Sequence, residues 1–456
     1  MNESLKIAEY IAGLRFEDLD RASVDSTKKS LLDSIGVILG AGTLGQSCRH
    51  FVNLAITGGG KQESTILGFG TRVPAYMAAF ANGAMSHALD YEDTHDKARV
   101  HPSGATVPAA LAIAESRGDV TGKEFITALA AGIDVVCRLG LALKKDPLER
   151  GWYIPPILGA FGATTAVCKL LELDTRQIVD AFSLTLCQAT CSAELTRSPR
   201  AAQREIRDAF SAKAGVLSAL LAREGLAGFE YPLEGEAGLF RLYAGEDYDL
   251  DVLIRGLGKS FECANVSYKP WPSCRGTHPF IEATLKILNR HEVTPDRIKQ
   301  IEVVVNNTPV NRVLCEPLVE KKAPKTSIDA KFSIPFAVAL AAVHRNVELK
   351  HFTADELQNP EVLEMVKRVT CQVSGEMDGV QGLVQISTGD KVFTTRASEF
   401  AYGNPENPIS QESLVTKFKK CAAYAANRFS DNVLNSLIEN ITHLEELHSF
   451  REITLF

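Results

Sequence analysis

Gln300-Ile-Glu-Val-Val-Val-Asn306 breaks the pattern of this chain. Apolar residues alternate there instead of recurring every three or four positions. Alternation with β-branched side chains marks a half-buried strand. Further along, Val369–Val373 reads the same way. Leu383 to Ile386 and Val392 to Thr395 flank Thr388-Gly389-Asp390-Lys391, which predicts a hairpin. Asp329 to Val343 returns to helical spacing. Up to about residue 266 nearly everything reads as helix. Ser26 to Gly40 is one segment, with Gly40 and Gly42 suiting its end. Another opens at Pro74 and runs toward Asp90. The small residues of Gly159 to Ala166 suit a central packed helix. Helical spacing resumes from Gln411, with Phe418, Val433, Leu434 and Leu437 as expected core. The chain therefore reads as helices, a mixed α/β insertion, then helices that rejoin the first body.

The 456 residues exceed what one core usually organises, so two domains are expected. A net charge of −7 disfavours nucleic acid, which demands a basic footprint. A local Lys/Arg cluster can still hold an anion. The ten cysteines are scattered with no Cys-x-x-Cys pair, so no metal site is expected and the thiols read as reduced and cytoplasmic. Phe125 to Leu143 is apolar but carries Asp134 and Arg138, four apart and able to pair. It reads as a core helix rather than a membrane span. Thr57-Gly-Gly-Gly-Lys61 lacks phosphate-loop spacing, and Gly68-Phe-Gly70 lacks a third glycine, so no nucleotide cofactor is expected.

Three polar clusters could carry chemistry. His87-Ala-Leu-Asp90-Tyr-Glu92-Asp93-Thr94-His95 is followed by His101-Pro102-Ser103-Gly104. On a helix, His87, Asp90 and Thr94 would share one face. A carboxylate beside an imidazole orients a general base, and a solvated helix end is the plain alternative. Arg197, Arg200, Arg204 and Arg207 would line one helix face, with Ile206, Phe210, Leu217 and Leu221 buried opposite. Such a row suits carboxylate binding; a solvent-facing basic stripe is the plain alternative. Lys269-Pro-Trp-Pro-Ser-Cys274-Arg-Gly-Thr-His278 falls where the composition shifts. Its prolines would hold Lys269 and His278 in place, or serve only as a rigid linker.

Together these segments resemble the MmgE/PrpD family, which includes 2-methylcitrate dehydratase, cis-aconitate decarboxylase and iminodisuccinate epimerase. Asn82-Gly83, the His87 to Thr94 run, His101-Pro-Ser-Gly104, Gly159-Ala-Phe-Gly-Ala163, Lys269 to His278 and Asp329-Ala-Lys-Phe-Ser-Ile-Pro335 occur in the family order. The resemblance implies a mostly α fold: a large all-helical body over 1–266 and a smaller α/β (α+β) lid domain over 267–404. C-terminal helices over 405–456 return to the body, and the active site lies in the cleft between body and lid. It also implies a homodimer working without metal or organic cofactor. Asp90, Thr94, His101 and Lys269 fall on family pocket positions, and His278 matches another. There are departures. Tyr153 stands where decarboxylase-like members place a histidine, and Arg204 where they place a lysine. Phe336 replaces a tyrosine and Cys274 a second histidine. These changes disfavour cis-aconitate decarboxylation, because arginine stays charged and phenylalanine transfers no proton.

The expected activity is a cofactor-independent lyase of dehydratase or isomerase type. It would abstract a proton α to a carboxylate of a small di- or tricarboxylate. His101 is the expected acid–base residue, oriented by Asp90. Lys269 and Tyr153 complete the catalytic set. Arg204, Arg207, Thr94, His278 and Cys274 are expected to bind substrate. An epimerase with two proton carriers, Tyr153 and Lys269, and a binding protein without activity are the alternatives.

Overall fold

The computed structural model of the chain describes residues 2–198, 202–375, 377 and 380–453. It divides into two compact units, Met1–Tyr268 with Ser410–Phe456, and Lys269–Ile409.

Among the described residues, the regular structure of the first unit is helical apart from a short hairpin, Ser64–Ile66 with Thr71–Val73. Its heart is the Ile154–Leu170 helix, packed against Pro102–Arg117, Gly122–Leu141 and Asp208–Arg223. Small residues permit the close approach. A Cβ on Gly162 would stand 2.7 Å from Thr106 Oγ1 and 3.1 Å from the Gly132 carbonyl oxygen. The Arg21–Leu44 helix runs on through Gly40 and Gly42 instead of ending there. Those glycines, with Gly36, lie against the Gln411–Ala422 helix and Ala426 beyond its end. Added methyl groups would reach 3.0 Å from Phe418, 3.2 Å from the Cys421 carbonyl oxygen and 3.1 Å from the Ala426 nitrogen. They are packing residues, and a spacing rule for helix ends cannot distinguish the two uses. Asp134 and Arg138 pair at 2.8 Å inside Gly122–Leu141, as their spacing of four predicts. No single helix among the described residues is long and apolar enough to cross a membrane.

The second unit is built on a four-stranded sheet in the order Val369–Val373, Gln300–Val305, Val380–Ser387, Val392–Ser398. The first two strands are parallel and the others antiparallel. Ile301, Val303 and Val305 alternate inward onto a core that includes Phe280 and Ile287 of the His278–Arg290 helix. The hairpin closes between Ser387 and Val392, where the Thr388 amide donates to the Lys391 carbonyl. The helix expected over Asp329 to Val343 is two helices, Ser327–Lys331 and Ile334–His344. The second restarts on the Ser333 hydroxyl with Pro335 in its first turn. Cys315 and Cys371 form a disulfide, contrary to the expectation of reduced thiols throughout. The partners are 56 residues apart, so their spacing carries no signal.

Candidate active site

The Ala75–His87 helix stops at His87 rather than continuing toward Asp90. Asp90 turns the chain with φ +48°, a left-handed conformation that aspartate tolerates better than most residues. Thr94 is already in extended backbone. It exchanges 2.9 and 2.7 Å bonds with Ser267, and its hydroxyl donates to Asp96. The single helical face expected for His87, Asp90 and Thr94 does not form. The turn has a different consequence: it folds Glu92 back beneath His87.

Glu92 is the centre of the cluster. Its Oε1 touches His87 Nδ1 and stands 2.6 Å from His101 Nδ1. The two rings meet edge to face, 5.1 Å between centroids. One ligand-type atom from each of His87, Asp90, Glu92 and His101 falls within a common 4.8 Å. His87 and Glu92 are wholly buried, whereas the His101 side chain keeps 18 % of its surface exposed. Of the two imidazoles, His101 is the one a solute can reach. Asp90, the expected partner of His101, is in the group. Glu92, to which spacing alone assigns no role, also stands against the His101 ring.

Arg207 supplies the charge. The expected row of arginines along one helix is broken. Gln203–Ile206 and Asp208–Arg223 are separate helices meeting at Arg207, and Arg200 lies outside the described residues. The expected faces are also reversed in part. Arg207 is buried, while Phe210 is 56 % exposed. Arg204 is half-buried and Arg197 exposed. The Arg207 guanidinium lies 3.2 Å from His87 Nδ1, 3.8 Å from Glu92 Oε1 and 3.5 Å from Asp208 Oδ2. It donates to the Tyr153 hydroxyl at 2.5 Å. Burial alone would lower its pKa, but Tyr153, Asp208, Glu92 and Asp90 raise it, and the net shift is upward. It is a permanent cation. Burial pushes the Asp208 carboxyl up, against the downward pull of Arg207 and His87. Asp208, Glu92 and Asp90, all buried, thus face the Arg207 cation.

Tyr153 precedes the Ile154–Leu170 helix and is fixed by its amide on the Cys191 carbonyl. Arg207 bonding to the phenol oxygen would stabilise the charge left if the phenol gave up its proton. Asp93, the other acid of the His87 to His95 run, is fully buried. Burial raises its pKa to about 7, opposed by bonds from Ser103 and Ser30 and reinforced by Asp33. Between the ordinary carboxylate value and pH 7 the folded chain therefore keeps a proton that the unfolded chain has released, and stability falls as pH rises through that window. The stability advantage of wild type over Asp93→Asn, from urea midpoints at pH 5 to 8, should shrink as pH rises. A pH-independent difference would contradict this.

The remaining expected site residues belong to the second unit. Lys269 is buried and directly follows Tyr268. His278 is buried at the start of its helix, with Nε2 at 3.2 Å from the Ser273 carbonyl and Nδ1 at 3.3 Å from Arg275. Cys274 is half-buried, and its amide donates to the Lys331 carbonyl. Phe336 lies in the apolar core of this unit.

In the helical unit, two imidazoles thus stand against one carboxylate, with a guanidinium and a phenol beside them. The MmgE/PrpD N-terminal domain matches residues 5–251 and the MmgE/PrpD C-terminal domain residues 271–442. The chain belongs to the MmgE/PrpD family. It is 26 % identical to the cis-aconitate decarboxylase of Mus musculus over 465 residues, covering 98 % of this chain and 91 % of that one. It is 25 % identical to that of Homo sapiens, covering 98 % and 92 %, and 23 % identical to that of Aspergillus terreus, covering 98 % and 95 %.

Proposed function

We propose that this chain is a lyase that removes a proton α to a carboxylate of a small di- or tricarboxylate and expels a group from the neighbouring carbon, with no metal or organic cofactor. Family membership and the decarboxylase relatives support the lyase class. The cluster around Glu92 carries the finer reading. His101 takes the proton at Nε2 while Glu92 holds the other ring nitrogen, so the imidazolium forms against a carboxylate already in place. The electron pair left on carbon moves toward the substrate carboxylate and then forms the double bond as the leaving group departs. A departing hydroxide takes a proton and leaves as water. Arg207 keeps the cluster charged and aligned and sets the Tyr153 phenol. Tyr153 is the second proton carrier. Arg204 and Lys269 bind substrate carboxylates, with Thr94, Cys274 and His278 as further contacts.

The Arg207–Tyr153 bond also favours a second reading, an epimerase that returns a proton from Tyr153 to the opposite face of the same carbon. One screen separates the possibilities: hydroxy- and unsaturated di- and tricarboxylates incubated in deuterated water and followed by proton NMR. Elimination gives a new olefinic signal and decarboxylation a product one carboxylate shorter. Epimerisation gives solvent deuterium in unchanged substrate. A polycarboxylate that binds but is never altered would remove the enzyme reading.

A further inference from the structure

Glu92 and Asp93 are adjacent, yet their carboxylates serve different partners. Glu92 meets the His101 ring. Asp93 accepts from the Ser103 amide at 3.2 Å, the Ser103 hydroxyl at 2.6 Å and the Ser30 hydroxyl at 2.7 Å. The Ser103 bonds fall on the first turn of the Pro102–Arg117 helix. His101 occupies the cap position of that helix and makes no capping bond with its side chain. Pro102 has no N–H, so Ser103 carries the first backbone donor that the helix cannot satisfy internally. A short polar side chain at position 101 would ordinarily meet that need. An imidazole turned toward Glu92 does not.

We propose that Asp93 is a positioning residue: it caps the Pro102–Arg117 helix from ten residues upstream, and so fixes the backbone from which His101 reaches Glu92. The anchor is firm on its other side. Ser30 lies in the Arg21–Leu44 helix. Thr94, next in the chain, is locked by backbone bonds to Ser267. One carboxylate holds the ring and its neighbour holds the main chain under the ring. The kinetic part of this inference rests on His101 being the acid–base residue; the structural part does not.

The test uses Asp93→Ala and Asp93→Asn in the full chain, with two readouts. On a substrate found by the carboxylate screen, Asp93→Ala should lower kcat about 100-fold, the scale for an ångström of misplacement, and leave KM within about threefold. Asp93→Asn should recover most of this, because its amide oxygen can still accept from Ser103. Without any substrate, Asp93→Ala should lose the hydrogen-exchange protection of the Ser103 amide and shift the His101 ring signals in NMR, assigned through His101→Gln. Asp93→Asn should keep both near wild type. If wild type turns over no carboxylate, the functional reading fails and the substrate-free readouts decide alone. Unmoved His101 signals in Asp93→Ala, or Asn performing no better than Ala, would overturn the proposal. Should Asp93→Ala not fold, Ser103→Pro replaces it. That variant removes the same amide at a helix-compatible position, and unmoved His101 signals there would be equally decisive.

Discussion

His101→Ala is expected to lose turnover on the order of 10³-fold, within the range that positioned proton transfer supplies, while the protein keeps its fold. The side chain is partly exposed, so its loss opens no sealed cavity. Its nearest charged neighbour, Glu92, retains contacts with His87 and Arg207. Stability and activity should therefore separate. Circular dichroism and the urea midpoint stay close to wild type, and kcat collapses on any substrate that wild type consumes. Glu92→Gln should act in the same direction through a different route. The amide keeps the shape but removes the charge that stabilises an imidazolium. A His101→Ala protein with wild-type kcat would remove the acid–base assignment outright.

Arg207→Met should act mainly on stability. The residue is buried at the joint of two helices and faces Glu92, Asp208 and His87. Methionine fills much of its volume, but leaves the carboxylates without their fixed cation. Breaking one side of a buried charge group typically costs about 3–5 kcal/mol. The deficit should narrow on acidification, because protonated carboxylates no longer need the cation. Urea midpoints of wild type and variant at pH 7 and pH 5 measure this. Arg207→Lys should recover little, since one ammonium cannot span the Tyr153, Asp208, Glu92 and His87 contacts that the planar fork reaches together. A cost below about 1 kcal/mol for Arg207→Met would place Arg207 among ordinary surface-like pairs.

Local sequence carries the features that depend on local physics. The strand at Gln300–Val305, the hairpin around Gly389 and the Asp134–Arg138 pair are set by alternation, turn chemistry and helical spacing. Tertiary features escape local pattern. Gly40 and Gly42 are mid-helix because another segment crosses there. Arg207 faces inward, to Glu92 and Asp208, and Phe210 is exposed, although the backbone at Arg207 stays right-handed helical (φ −53°, ψ −35°); spacing along the helix does not say which neighbours it meets. The site is legible in the sequence as a segment but not as a geometry. His101, Asp90, Tyr153 and Arg207 all stand out from residue type and family position. Glu92 does not, because a helical reading of 87–94 makes Asp90 the natural partner. The left-handed turn at Asp90 replaces that helix and brings Glu92 to the ring. A doublet of acids between two histidines is the available signal, and it marks both the partner of the ring and the cap beneath it.

Chemical rescue tests the proton-transfer role of His101 most directly. Free imidazole added to His101→Ala should restore turnover in proportion to its concentration, since the vacated position is partly open and Glu92 remains to hold the ring. A folded, inactive His101→Ala that binds substrate yet ignores imidazole and other small bases at every concentration would contradict that role.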